Sequence, residues 1–188
     1  MKWVLASASP RRKQLLQPLI SDFEILPAKG EERADDRLSP AEQSRMLACQ
    51  KAAEVAKKRP DCYVLGADTV VAIDGQVLGK PKDEVDAKRM LRLLSGRTHE
   101  VFTGVCIFTP KGEQFSAVEG TQVRFYALTE PFIEAYVAGG SPMNKAGAYG
   151  IQDGGLVEKI VGSYDNVVGL PTELCDKMIK KITSAEER

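Results

Sequence analysis

Ser9-Pro10-Arg11-Arg12-Lys13 joins an N-cap serine and an N1 proline to three cations in the first helical turn. A helix N-terminus already carries partial positive charge, so each like charge there costs roughly 0.3–1 kcal/mol. An anionic ligand reverses that sign. Free backbone N–H groups, the hydroxyls of Ser7 and Ser9 and two guanidinium forks can all meet phosphate oxygens. Solvated or acid-paired arginines are the competing reading, and this motif alone leaves both open. Lys51 is the next cation with a meaningful place. It lies four residues after Leu47 and four before Val55, on the apolar stripe of its helix,. There it either snorkels to the edge of the core or points its ammonium at an anion across a cleft. Lys80, between Gly79 and Pro81, adds a loop cation.

The acids are fewer. Asp68 is the only charge in the apolar stretch Tyr63–Ile73, and a buried carboxylate costs several kcal/mol unless it meets a cation, a metal or several donors. Glu31-Glu32, in the polar loop before the second helix, offers further carboxylates of the kind a hard divalent cation takes, or a plain solvated loop,. A glycine-rich segment, Lys145 to Gly155, either brings backbone close to a ligand or makes ordinary turns,. Within it, Gln152 carries one amide that both donates and accepts, which suits the edge of a uracil or thymine ring.

These side chains need a frame. Trp3–Ala6 reads as a short strand followed by a turn and a helix carrying Leu15, Leu16 and Leu19. Ser39-Pro40-Ala41-Glu42 is a capping box opening a helix to about Lys58,. Tyr63–Ile73 and Val77-Leu78 form strands around an Asp74-Gly75 hairpin turn,. Asp83 caps a helix that Gly96 stops, Val101–Thr109 and Glu119–Leu128 form two long strands, and Thr129 begins another helix ended by Gly139-Gly140,. Val157–Val161 is a short strand, then comes a loop, and a last helix starts near Pro171. The expected class is α/β, a mixed sheet flanked by helices.

Composition narrows the chemistry. At 188 residues, with 43% hydrophobic and 28% charged residues, the chain is expected to be one globular domain over 1–188,. Formal net charge is zero, so there is no overall basic field for long nucleic acids, and small partners are favoured. Cys49, Cys62, Cys106 and Cys175 are too far apart for a zinc ribbon or a thioredoxin motif and read as reduced thiols of a cytoplasmic protein,. With a single histidine, His99, multi-histidine metal sites and acid–base schemes are excluded for one chain. His99 itself, at a strand start, is assigned a structural role. The apolar run in Met1–Arg12 is too short for a signal peptide, and no segment approaches the ~20 apolar residues of a membrane span.

Taken in order, six blocks resemble one family. They are Ser7-Ala8-Ser9-Pro10-Arg11-Arg12, Gly66-Ala67-Asp68-Thr69-Val70-Val71, Gly79-Lys80-Pro81, Ser95 to Gly104, Lys145 to Gln152 and Gly162 to Pro171. Together they are similar to the Maf family of nucleoside triphosphate pyrophosphatases, from about residue 3 to residue 180. The resemblance implies a fold like the inosine triphosphate pyrophosphatases, an elongated mixed sheet with two lobes around a central cleft. It also implies cleavage between the α- and β-phosphates with a divalent metal, Mg²⁺ or Mn²⁺. Asp68 falls at the family's general base and metal ligand, Glu32 at a second metal ligand, and Ser7, Arg11, Arg12, Lys51 and Lys80 at substrate positions. Arg12, Thr69 and Gln152 match the triplet of the subfamily acting on dTTP and UTP. A homodimer is implied as well. Members linked to septum and division control leave an alternative, a regulatory nucleotide-binding module with little turnover, against which an intact Asp68 speaks.

Overall fold

In the computed structural model, which describes residues 1–186, the apolar run around Asp68 becomes the spine of the molecule. Strand β3 (Tyr63–Ile73) pairs in parallel with β1 (Trp3–Leu5), which pairs in parallel with β2 (Glu24–Ile25). On its other side β3 pairs antiparallel with β5 (Thr98–Phe108), followed by β6 (Gln114–Phe125) and β7 (Val157–Val161), also antiparallel. A short β4 (Gln76–Leu78) folds back on the end of β3. Its turn places Asp74 at φ 52° and Gly75 at φ 76°. Two successive positive φ values match the right-handed strand twist of a tight hairpin, which explains the Asp-Gly pair. The result is one mixed seven-stranded sheet in the order β2-β1-β3-β5-β6-β7, with β4 beside β3.

Capping residues set where helices begin. α1 (Pro10–Leu16) starts at Ser9, whose Oγ accepts the Arg12 N–H. α2 (Pro40–Lys58) has both halves of its capping box, Ser39 and Glu42 serving each other's backbone. α3 (Glu84–Leu94) and α4 (Glu130–Ala138) are capped by Asp83 and Thr129. α5 (Tyr164–Val168) is a single short turn of helix where a loop was expected, and α6 (Thr172–Glu186) closes the described chain. Three 3₁₀ turns, Ser141–Asn144, Ala146–Ala148 and Ile151–Asp153, occupy the glycine-rich region.

The core falls into separate clusters along β3. Leu65 and Ala67 face α1 and α6 with Leu16, Ile107 and Leu170, while Val64 faces α2 with Ala48, Ala52 and Val55. Val71 and Ile73 belong to a different cluster, with Leu91, Leu94, Phe125 and Ile133 around α3 and α4. A fully buried leucine or phenylalanine contributes about 1.5–3 kcal/mol, so the first two clusters support opposite faces of one end of the sheet and the third supports the other end. Asp68, Thr69 and Val70 lie between the clusters, where the spine crosses from one lobe to the other. His99 is buried in β5, with Nε2 2.8 Å from the Tyr149 hydroxyl, and burial pushes its pKa down to about 4. It is a neutral core residue at neutral pH.

α2 lies directly on the sheet because two strand positions lack a side chain. A Cβ on Gly66 would stand 2.6 Å from the Ala48 carbonyl oxygen, and one on Gly104 only 2.3 Å from that of Ser44. Gly104 is paired with Asp68 across the β3–β5 ladder. The close approach therefore sets the height of α2 above Asp68. Gly104→Ala is expected to lift the helix, costing about 1–3 kcal/mol as overpacking does, and to lower any activity that needs Lys51 against Asp68. Urea unfolding of the variant checks this, with an unchanged midpoint counting against the close-packing account.

Candidate active site

Alternation along β3 sends Asp68 to the face covered by α2 and Thr69 to the face covered by α1. Asp68 is 7% exposed, and one of its carboxylate oxygens takes a hydrogen bond from the Lys51 ammonium. The same ammonium is 3.1 Å from Glu32. It is Glu32, not its neighbour Glu31, that reaches this cation. Burial raises the Asp68 pKa above the usual aspartate value, while Lys51 and Arg12 pull it back. Asp68 thus sits where a carboxylate is costly and is kept company by two cations, a combination that makes it a functional-site candidate.

The cations of α1 are held from an unexpected side. Arg11 Nε donates to the Val168 carbonyl at 3.3 Å and Arg12 Nε to the Gly169 carbonyl at 2.9 Å. Both acceptors belong to the C-terminal end of α5, whose negative partial charge offsets the repulsion Arg11 and Arg12 meet in the first turn of α1. Arg12 also donates from Nη1 to Ser7 Oγ (3.3 Å) and from Nη2 to Thr69 Oγ1 (3.2 Å). Four protein acceptors fix two guanidinium groups, and their remaining N–H groups are left to a ligand.

These residues enclose a cleft of about 470 Å³ lined by Arg11, Arg12, Glu32, Lys51, Asp68, Thr69 and Lys80, within the size range of small-molecule sites,. Lys80 stands on its rim with no ion pair among the described residues. The glycine-rich segment supplies the opposite wall through Asn144, Lys145, Ala146 and Tyr149, and its Gly147 N–H bonds the Gly79 carbonyl beside Lys80. Lys145 is tied to Asp153 at 2.8 Å. Ser7 lies behind Arg12 and off the cleft wall. Gln152 is exposed on its 3₁₀ turn and is outside the lining, so the geometry brings together the other site residues but not this amide. Thr103 and Asn166 fall within the motif blocks Ser95 to Gly104 and Gly162 to Pro171 but carry no site role there, and the α5 carbonyls give no sequence signal because a backbone acceptor leaves no residue signature.

The sequence profile of Maf-like proteins matches residues 2–182. The chain belongs to the Maf family. Among its relatives is a dTTP/UTP pyrophosphatase of Bacillus cytotoxicus, 46% identical over 185 residues, covering 97% of this chain and 96% of that protein. A dTTP/UTP pyrophosphatase of Geobacillus sp. (strain WCH70) is 48% identical over 181 residues, covering 95% and 97%. Among solved structures, a HAM1 protein from Coxiella burnetii superposes with a TM-score of 0.55 at 12% identity, over 98% of this chain and 99% of that one. That likeness is one of fold. In this Maf chain the mixed sheet, two core regions and intervening cleft are those the motifs led one to expect. All four cysteines are free thiols, and no helix among the described residues is long and apolar enough to cross a membrane.

Proposed function

We propose that the cleft hydrolyses dTTP and UTP at the α–β anhydride, giving the nucleoside monophosphate and pyrophosphate. The observation that carries this reading is the placement of one buried carboxylate, Asp68, among Lys51, Arg11 and Arg12 in a cleft of nucleotide size. The relatives named dTTP/UTP pyrophosphatase support the substrate. Asp68 takes a proton from the attacking water, whose oxygen joins the phosphorus as the anhydride bond breaks, and pyrophosphate leaves. Lys51 opposes the burial that disfavours the ionised form of Asp68. Arg11 and Lys80, with the Arg12 N–H groups not turned to the nucleobase, neutralise phosphate oxygens, on which charge builds as the bond opens.

The donor set also fits a hard divalent cation. Glu32 and Asp68 converge on one positive group, the Lys51 ammonium, and Mg²⁺ is commonly held by one or two carboxylates with substrate phosphates completing its shell. No cluster of three or more His, Cys, Asp or Glu side chains suited to a metal occurs among the described residues, so phosphate oxygens and water must supply the remaining ligands. When bound by Glu32 and Asp68, Mg²⁺ or Mn²⁺ would neutralise phosphate charge. Activity is expected to vanish on chelation and return with Mg²⁺ or Mn²⁺, and full activity after exhaustive chelation would remove the metal from this proposal.

Pyrimidine selectivity belongs to the same proposal, through Arg12, Thr69 and Gln152. Because Gln152 is exposed, its part requires the glycine-rich segment to close over the ligand, and an unchanged UTP-to-GTP preference in Gln152→Ala would exclude it. A panel of nucleoside triphosphates assayed for pyrophosphate release tests the whole reading. UTP and dTTP should lead, and equal hydrolysis of ATP or GTP would defeat it. A cytoplasmic homodimer is part of the proposal, and sedimentation of the purified chain tests the dimer.

A further inference from the structure

Thr69 and Thr103 face each other across the β3–β5 ladder, with hydroxyl oxygens 2.9 Å apart. The direction of that bond follows from the next one. Thr103 Oγ1 lies 2.9 Å from the Asn166 carbonyl oxygen, which can only accept. This carbonyl sits near the end of α5, where the Leu170 N–H goes to Asp165 instead. Both Thr103 and Asn166 are 0% exposed, and a buried carbonyl left without a donor costs about 1–3 kcal/mol. Thr103 has one proton, and Asn166 takes it. The bond between the threonines must then be donated by Thr69.

A hydroxyl has one proton and two lone pairs. Thr69 gives its proton to Thr103 and one lone pair to Arg12 Nη2. What remains for the cleft is a single acceptor. Phosphate oxygens are acceptors too, so this hydroxyl does not bind them and needs an N–H or O–H from the ligand. Arg12, beside it, has only donors to offer. Arg12 and Thr69 together display a donor next to an acceptor, the complement of a carbonyl next to a ring N–H. The far end of the relay is fixed, since Asn166 Nδ2 donates to the Val101 carbonyl and to Thr121 Oγ1, both at 2.9 Å.

We infer that Thr103 is a positioning residue for base recognition: it holds the Thr69 hydroxyl as an acceptor, so that the Arg12–Thr69 pair selects bases with a keto oxygen beside a ring N–H. The inference rests on the nucleotide-hydrolysing reading of the cleft. Uracil and thymine present that edge. Cytosine and adenine present a ring acceptor beside an amino group, the reverse pattern. Guanine shares the keto edge, so this relay separates keto from amino bases, and purine size is discriminated elsewhere.

The test compares kcat/KM for UTP and CTP in the wild type, Thr103→Val, Thr103→Ala and Thr103→Ser, a ratio that does not depend on the fraction of enzyme folded. Without the Thr103 hydroxyl, Thr69 is free to turn and donate, and the UTP preference should fall about tenfold or more in the Val and Ala variants. Serine restores the relay and should keep the ratio within about threefold of wild type. A wild-type arm uses UTP methylated at ring N3, which lacks the N–H and should be hydrolysed about tenfold or more less efficiently than UTP. An unchanged ratio in the Val and Ala variants, a serine variant that behaves like them, or N3-methyl-UTP turned over like UTP overturns the inference and leaves the hydrolase reading standing. A wild type that hydrolyses no nucleoside triphosphate overturns that reading itself.

Discussion

Asp68→Asn is expected to lower kcat for UTP by about 10²–10⁴-fold, the range for loss of a positioned general base, and to melt no lower than wild type. The two results together are diagnostic. Asparagine keeps the shape but cannot take a proton from water. Burial raises the pKa of Asp68 in the folded chain, so above that value the ionised carboxylate is a cost to the fold, and removing it relieves the cost. The same sign governs the acid limb of the wild-type rate. Activity needs the ionised form, is present above the raised pKa and falls as pH drops through it. A variant retaining more than about a tenth of the wild-type rate, or one inactive only because it is unfolded by its melt, would take the base assignment from Asp68.

Lys51→Met should have the second largest effect, a drop in kcat/KM of about 10²-fold or more at pH 7. Methionine preserves most of the apolar stem while removing the charge that touches Asp68 and Glu32. Lys51 opposes the burial penalty on Asp68. Without it the Asp68 pKa rises further and the acid limb of the pH–rate profile shifts to higher pH. Lys80→Ala is the control, an exposed rim cation not among the groups that perturb Asp68. It should raise KM without moving that limb. If Lys51→Met leaves the limb in place, Lys51 does not tune Asp68.

Much of this frame is legible in the residues, for physical reasons. β3 (Tyr63–Ile73) and β7 (Val157–Val161) fall where apolar runs and turn residues place them, and α2 begins and ends where its capping box and Lys58 indicate. β2, two exposed residues long, carries too little pattern to see. β6 starts at Gln114, five residues before its apolar signal, because Phe115 to Val118 are only half buried. α5 reads as a loop since five residues with two adjacent valines make a poor helix by propensity and are held by tertiary contacts,. In the site, Asp68 stands out as a charge in an apolar strand and Lys51 as a cation on an apolar stripe. Their meeting depends on Gly66 and Gly104, whose role appears only when α2 is laid on the sheet. The anchoring of Arg11 and Arg12 by α5 carbonyls, and the relay through Thr103, are long-range contacts that no local pattern encodes.

The most direct measurement is the identity of the products from UTP under single-turnover conditions with wild-type enzyme, resolved by ion-exchange chromatography. Attack at the α–β anhydride yields UMP and pyrophosphate in equal amounts, with no UDP at any time point. Appearance of UDP and orthophosphate as the first products would contradict the account, because the cleft would then be cutting the terminal phosphate.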